Sequence, residues 1–223
     1  MRKTYALFDF DGTLIHGDSI ILLCGYAYRK RYIGLGTLCG IGWAALRYGL
    51  KCLPAERAKE KALRFLVGKS AAQLDAFVHE FFHEELLPRL RPQGIEAIAA
   101  HRAAGHTVLL ISASPAFYLA PLKEHLGLAD IIATRFATDA SGTFTGECGD
   151  NCRGVQKALR LAEYLAAKGD RLAYATSAAY GDTLGDLPML KLCARKVAVN
   201  PKRKLWRALQ KEEGVQRVTW REP

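Results

Sequence analysis

Two aspartates separated by a single residue, Asp9 and Asp11, follow a short apolar run near the start of the chain. The run, Tyr5–Phe8, is typical of a buried parallel strand. In an open α/β sheet, ligands bind just beyond the carboxyl ends of the strands, which is where both carboxylates would lie. Carboxylates can act as nucleophiles, transfer protons or bind a divalent cation. The alternative is an ordinary Asp-x-Asp-Gly turn, since Asp and Gly favour turns.

Further polar residues lie where later strands end or helices begin. Ser112 follows a predicted strand, with Ser114 as the predicted N-cap of the next helix, and Lys157 lies on another predicted helix. Asp182 and Asp186 follow a later predicted strand. Taken singly, each has an ordinary alternative: a surface lysine, or a turn and a helix N-cap for the two aspartates. Together they predict a cluster at one edge of a sheet.

Two kinds of segment have to position these residues. After residue 90, predicted strands alternate with helices, which indicates a parallel sheet with right-handed crossovers. Residues 17–89 are predicted to be helical throughout. We therefore predict an α/β core formed by residues 1–16 and 90–223, with residues 17–89 inserted as a helical domain.

One stretch of the helical segment, residues 32–46, carries no formal charge and is rich in glycine. It is too short for a comfortable transmembrane helix, which needs about 20 apolar residues. We predict a buried helical hairpin that packs on the core and covers the substrate pocket. Contact with an anionic membrane surface remains the alternative, because basic residues flank the stretch: Arg29, Lys30, Arg31, Arg47 and Lys51.

Composition and charge limit the classes of function. The chain has 223 residues, 50% of them hydrophobic, and a net charge of +10. This composition supports a sizeable core and excludes global disorder. The charge suits anionic partners, but no aromatic-rich nucleic-acid module accompanies it, so no nucleic-acid partner is expected. An acidic residue occurs too early for a secretory signal, so we predict a cytoplasmic location and reduced cysteines.

The chain resembles the haloacid dehalogenase superfamily and, within it, subfamily IB, the phosphoserine-phosphatase-like branch. The resemblance rests on segments that occur in order along the chain: Asp9-Phe10-Asp11-Gly12-Thr13, Ser112, Lys157, and Gly181-Asp182 with Asp186. It implies an α/β fold with a Rossmann-like parallel-sheet core. It also implies an all-helical C1-type cap inserted after the first strand.

The resemblance further implies a role for each matching residue. Asp9 would be the nucleophile that forms an aspartyl-phosphate, Asp11 the acid and base, and Lys157 a balancing charge. Contacts with phosphate or substrate are implied for Gly12, Thr13, Ser112, Ala113 and Asp18. Mg²⁺ would be held by the side chains of Asp9 and Asp182 and by the backbone carbonyl of Asp11, and Asp186 would support this metal site from just outside it. Asp18 occupies the place of a glutamate that meets the substrate amine in phosphoserine phosphatases, but a helix N-cap explains it equally well.

We therefore expect a Mg²⁺-dependent phosphomonoester hydrolase that acts on a small phosphorylated metabolite. Thr183 and Gly185 replace a glycine and an asparagine of the phosphoserine phosphatases, so phosphoserine itself is not predicted as the substrate. Residues 32–46 suggest a first alternative, a phosphatidylglycerophosphate-type lipid phosphatase at the membrane surface. The net positive charge suggests a second, a non-catalytic anion or nucleic-acid binder, which leaves the aspartates unexplained.

Overall fold

A six-stranded parallel sheet forms the centre of the molecule. The computed structural model describes residues 1–222. The strands are β1 (Arg2–Lys3), β2 (Tyr5–Phe8), β3 (Thr107–Pro115), β4 (Asp130–Thr134), β5 (Phe136–Thr138), β6 (Phe144–Cys148), β7 (Arg171–Leu172), β8 (Ala178–Gly181), β9 (Arg195–Val199) and β10 (Val215–Val218). The central sheet has the order β10-β9-β8-β2-β3-β4, while β1 pairs with β7 and β5 with β6. This topology confirms the predicted α/β fold.

Helices cover the sheet and form the inserted segment. They are α1 (Ser19–Arg29), α2 (Leu35–Gly49), α3 (Ala55–Leu63), α4 (Ala71–Phe81), α5 (Pro92–Ala103), α6 (Ala116–Leu119), α7 (Pro121–His125), α8 (Val155–Lys168), α9 (Leu187–Leu190) and α10 (Arg203–Leu209). A π-helical turn, Phe82–Leu86, extends α4, and 3₁₀ turns occupy Arg64–Leu66, Leu87–Arg89 and Leu184–Asp186. Within residues 1–222, none of these helices combines the length and apolar character needed to cross a bilayer.

Both faces of β2 are buried, which explains why its sequence is apolar without alternation. Ala6 and Phe8 belong to the hydrophobic core on one face, where α5, α6, α7 and helices of the inserted segment pack. Tyr5 and Leu7 belong to the core on the other face, against α8, α9 and α10. The ring of Phe8 stacks on that of Tyr180 in the neighbouring strand β8, with centroids 4.2 Å apart. The end of β2 is thereby fixed in the middle of the sheet.

Two helices of the helical segment begin at residues that are favourable N-caps. Asp18 caps α1, its Oδ1 accepting hydrogen bonds from the backbone N–H groups of Ile20 and Ile21. Ser70 and Gln73 form a reciprocal capping box at the start of α4. The segment also contacts the β5–β6 hairpin, because the 68–69 backbone exchanges two hydrogen bonds of 2.9 Å with Phe144.

Residues 32–46 do not form a buried hairpin, so that prediction is wrong. They belong largely to the single helix α2, in which Ala44 is the one buried residue. Trp43 is 61% exposed and Leu46 is 51% exposed. The helix packs beside α3 through one narrow side, and its opposite side faces outward. Apolar composition predicted burial, but it does not show whether another element of the chain lies against that side.

Other segments also differ from expectation. Strand β3 continues through a register shift to Pro115, so Ser114 lies in the strand and does not cap the next helix. That helix, α6, has only four residues. Strand β10 and the two-residue pair β1–β7 were not predicted, because they are too short or too polar to give a clear pattern.

Candidate active site

The site begins where β2 ends, between β3 and β8. Asp9 follows directly after Phe8, and its backbone N–H donates to the Tyr180 carbonyl at 3.0 Å, which extends the strand pairing by one residue. The Asp9 side chain is buried, and its Oδ2 accepts a hydrogen bond of 3.1 Å from Thr13 Oγ1. Asp9 therefore lies at the carboxyl edge of the central strands, as the sequence predicts.

Lys157, on the first turn of α8, links Asp9 to Asp186. Its Nζ lies 2.5 Å from Asp9 Oδ1 and 2.6 Å from Asp186 Oδ1, and the lysine is only 2% exposed. Burial acts to lower the pKa of this ammonium, but Asp186 and Asp9 outweigh that effect and raise it. Lys157 is therefore held as a cation inside the site.

Asp186 is fixed through both of its carboxylate oxygens. Oδ1 contacts Lys157, while Oδ2 accepts from the backbone N–H and the hydroxyl of Thr183, each at 2.9 Å. Sequence reasoning missed this role of Thr183. The available signal was the Thr-x-x-Asp spacing, which is the pattern of a capping box.

Asp182 completes a cluster of three buried carboxylates. Ligand atoms of Asp9, Asp182 and Asp186 lie within 4.8 Å of one another. Asp182 Oδ1 is buried and has no hydrogen-bond partner among residues 1–222. Burial together with the charge of Asp186 raises the pKa of Asp9 well above its usual range and that of Asp182 to about 7.

The cluster fits a divalent cation with hard oxygen ligands. The three carboxylates face the buried ammonium of Lys157 and, 4.0 Å from Asp182, the exposed ammonium of Lys202, so full ionisation leaves an excess of negative charge. A buried carboxylate oxygen without a partner is costly, and a cation such as Mg²⁺ would satisfy it. The predicted metal ligands Asp9, Asp182 and Asp186 are therefore brought together. The carboxylate of Asp11 is not part of this cluster.

Gly12 allows Asp182 to approach so closely. Its backbone has a φ of +78°, which favours glycine, and a Cβ at this position would lie 2.7 Å from Cγ of Asp182. The Asp-Gly-Thr segment thus combines a turn with the space for a carboxylate from the end of β8. The turn that Asp and Gly favour and the clustering of carboxylates therefore occur together at this segment.

Asp11 lies beside the cluster and faces the helical segment. Its Oδ1 accepts from the backbone N–H of Ser19 at 2.7 Å, and its Oδ2 accepts from the hydroxyl of Ser114. Burial and the charge of Asp18 raise the pKa of Asp11 to about 6. Ser114, predicted as a helix cap, is therefore a partner of an acidic site residue, which its position after Ser112 did not reveal.

The other residues predicted to contact phosphate or substrate lie around the carboxylate cluster or at the surface. Ser112 is buried, and its hydroxyl oxygen accepts from the backbone N–H of Ser114 at 3.0 Å. The Ala113 carbonyl accepts from Lys59 of α3 at 2.5 Å. Asp18 is exposed at the surface and caps α1. Lys59 was also missed, since nothing in the local sequence distinguishes it from the nearby Lys61.

Several known proteins are similar to this chain in sequence or in structure. The sequence profile described as haloacid dehalogenase-like hydrolase matches residues 6–191. A histidinol-phosphatase from Neisseria meningitidis is 31% identical over 202 residues, which cover 89% of this chain and 91% of that protein. The phosphoserine phosphatase SerB1 of Mycobacterium tuberculosis is 31% identical over 94% of this chain and 68% of its own length.

A solved structure extends the comparison to the whole fold. A protein of unknown function from Bordetella pertussis superposes with a TM-score of 0.88 at 29% identity, covering 98% of this chain and 99% of that one. The family match spans the carboxylate segments at both ends of the site, from Asp9 to Asp186. The resemblance inferred from the sequence is confirmed, and the chain belongs to the haloacid dehalogenase-like hydrolase family.

Proposed function

We propose that this chain is a Mg²⁺-dependent phosphatase that cleaves phosphomonoesters through an aspartyl-phosphate on Asp9. One observation carries the proposal: three buried carboxylates, bridged by Lys157, lie at the carboxyl edge of the sheet with Asp11 beside them. That the enzyme is a phosphatase, as the sequence predicts, agrees with family membership and with relatives that are themselves phosphatases.

The chain's own residues account for both halves of the reaction. A carboxylate oxygen of Asp9 attacks phosphorus, the bond from phosphorus to the ester oxygen breaks, and Asp11 gives its proton to that leaving oxygen. Asp11, now a carboxylate, then takes a proton from the water that attacks phosphorus in the aspartyl-phosphate. That second step releases inorganic phosphate and restores the Asp9 carboxylate. Lys157 holds Asp9 in place and balances charge during transfer.

Other groups would hold the phosphate and the cation. The Ser112 hydroxyl would donate its hydrogen to a phosphate oxygen while its oxygen accepts from the Ser114 N–H. Asp9 and Asp182 would bind Mg²⁺ directly, with Asp186 adjacent and orienting Lys157. When bound, the cation offsets the repulsion between the phosphate dianion and the carboxylates.

We propose residues 17–89 as a cap that closes over the site. Support comes from the Ser19 N–H, which reaches Asp11, and from Lys59, which reaches the Ala113 carbonyl. Closure of this kind excludes water during transfer to Asp9 and must be reversed to admit the hydrolytic water.

A small phosphorylated metabolite is the proposed substrate class. The Neisseria meningitidis relative, which matches over nearly its whole length, is a histidinol-phosphatase, and the Mycobacterium tuberculosis relative is a phosphoserine phosphatase. We accordingly keep a cytoplasmic location as a prediction, because such metabolites arise there.

Phosphate release from a panel of phosphomonoesters tests the proposal. The panel holds phosphoserine, histidinol phosphate, sugar phosphates, nucleotides and phosphatidylglycerophosphate, each assayed with Mg²⁺ or EDTA. Asp9→Asn should abolish both turnover and transfer of labelled phosphate to the protein, whereas Asp75→Asn, at an exposed position of α4, should leave them unchanged. Full turnover in Asp9→Asn would refute the role of Asp9.

The outer face of α2 favours a second candidate, a lipid-phosphate phosphatase that works at an anionic membrane. Trp43 and Leu46 are exposed there, and residues 19–55 contain basic but no acidic side chains. Such a surface suits contact with anionic lipid. A cavity of about 410 Å³ at the start of α2 is lined in part by Arg29 and Arg31.

Sedimentation with lipid vesicles tests this second candidate. Phosphatidylglycerol vesicles should retain the wild type, and phosphatidylcholine vesicles should not. Replacing both Trp43 and Leu46 with serine should release the protein, whereas Leu159→Ser, at a residue 50% exposed on α8, should not. Lack of binding to phosphatidylglycerol vesicles would exclude the membrane candidate.

A further inference from the structure

Lys59 crosses from the helical segment to the sheet and ends beside the proposed phosphate-binding residues. It lies on α3, and its Nζ is 2.5 Å from the Ala113 carbonyl oxygen and 2.6 Å from Asn151 Oδ1. The hydroxyl of Thr134 lies 3.5 Å away and itself donates to the Ala113 carbonyl. A side chain from α3 thus contacts one residue within β3, one at the end of β4 and one that follows β6.

The three acceptors of Lys59 are uncharged: a carbonyl, an amide and a hydroxyl. Burial lowers the pKa of this ammonium, an effect opposed by Cys148, Asp11, Glu56 and Asp18 nearby. A partly buried cation that bonds only neutral groups contributes little to folding stability, since its desolvation is costly. Lys61, two residues further along the same helix, is exposed to solvent, as is usual for a lysine.

The contact acts on the backbone of the β-bulge at residues 112–115. The Ala113 carbonyl belongs to the same peptide group as the Ser114 N–H. That N–H donates to Ser112 Oγ, while the Ser114 hydroxyl donates to Asp11. An ammonium at the carbonyl end polarises the peptide and strengthens the bond made by its N–H. Lys59 therefore orients, through one peptide, both the Ser112 hydroxyl and the partner of Asp11.

We propose that Lys59 is a positioning residue that couples closure of the helical segment to the geometry of the 112–115 bulge, and thus to phosphate binding. The inference rests on the proposed phosphatase function. When the helical segment moves away, the Lys59 ammonium no longer contacts the Ala113 carbonyl. The Ser112 side chain is then no longer held in the orientation that directs its hydroxyl hydrogen at a phosphate oxygen. The site therefore binds phosphate tightly only when the helical segment is closed over it.

Lys59→Met removes the charge and keeps the length of the side chain. The Michaelis constant for the preferred phosphomonoester and the inhibition constant for inorganic phosphate should both rise about tenfold or more, as expected when a hydrogen bond to a charged group is lost. The melting temperature should not fall, because an apolar chain replaces an ammonium bonded only to neutral groups. Lys61→Met serves as the matched control and should leave all three quantities unchanged.

Hydrogen exchange of the α3 amides gives a readout that does not depend on turnover. Inorganic phosphate with Mg²⁺ should slow exchange of α3 in the wild type and in Lys61→Met, but not in Lys59→Met. Equal protection in all three proteins would overturn the proposal, as would unchanged kinetic constants in Lys59→Met. A lower melting temperature with unchanged phosphate inhibition would assign Lys59 a structural role and also overturn it.

Failure of the phosphatase proposal would look different. In that case the wild type would release no phosphate from any compound of the panel, and Asp9→Asn would behave as the wild type does. Failure of the Lys59 proposal alone leaves an active wild type, an inactive Asp9→Asn variant and a Lys59→Met variant that matches Lys61→Met.

Discussion

Replacing Lys157 with methionine would leave the buried carboxylates of Asp9 and Asp186 without the cation that they share. In the structure, the ammonium makes contacts of 2.5 and 2.6 Å with these two groups, and all three residues are nearly inaccessible to solvent. Methionine fills a similar volume, so the change removes charge and hydrogen bonds rather than packing. The decrease in the free energy of unfolding should therefore measure the electrostatic role of Lys157.

The expected loss of stability is large. Removing one partner of a buried ion pair typically costs about 3–5 kcal/mol, because the other charge stays buried without compensation. Lys157 contacts two carboxylates, but in its absence Asp9 can take up a proton and leave only one buried charge unpaired. We therefore expect a loss within that range rather than twice as large. For a chain of this size, such a loss corresponds to a fall of about 6–20 °C in melting temperature.

Urea unfolding in EDTA and in millimolar Mg²⁺ measures this effect. We expect Lys157→Met to lose about 3–5 kcal/mol in EDTA and to recover part of it in Mg²⁺, because the cation supplies the missing charge. Lys168→Met, at an exposed position of the same helix, is the matched control and should lose almost nothing. A loss of less than about 1 kcal/mol in EDTA, the size expected for a surface pair, would refute the role of Lys157 as the compensating charge.

Three further predictions concern the metal cluster, pH and the cap of α1. Gly12→Ala should weaken Mg²⁺ binding about tenfold or more in calorimetric titration, because the new Cβ displaces Asp182. Gly17→Ala is the control: Gly17 has a similar positive φ, but no atom lies within 4 Å of the added Cβ, so the affinity for Mg²⁺ should be unchanged. Burial lowers the pKa of His101 to about 4, so only the unfolded chain gains this proton as pH falls from 6.5 toward 4. The contribution of His101 to the free energy of unfolding should consequently drop by about 2 kcal/mol between pH 7 and pH 5, while the raised pKa values of Asp11 and Asp182 act in the opposite direction. The His101 contribution is the difference in pH dependence between the wild type and a His101→Gln variant, and the same pH dependence in both proteins would contradict this assignment. Asp18→Ala should cost about 1 kcal/mol in urea unfolding whereas Asp18→Ser should cost almost nothing, since serine caps a helix as well; equal losses would show that capping is not the stabilising role of Asp18.

Much of the site could be predicted because its signals are local. The apolar run Tyr5–Phe8 followed by Asp9 places a carboxylate at a strand end whatever the rest of the chain does. The Asp18 cap and the Ser70–Gln73 capping box depend on hydrogen bonds between near neighbours, so they also form as the sequence indicates. Local hydrogen-bonding patterns and hydrophobic periodicity determine these elements before any long-range contact is made.

The tertiary structure alone decided which distant residues meet. Lys157 reaches Asp9 across 148 positions, because the strand order brings α8 to this sheet edge. Lys59 reaches Ala113 across 54 positions, because α3 of the helical segment packs near the same edge. Ser114 became a partner of Asp11 only because β3 continues past Ser112. The same limit explains the error for residues 32–46. Their apolar composition follows from the sequence, but burial depends on which other elements pack against α2, and a local pattern carries no information about that packing.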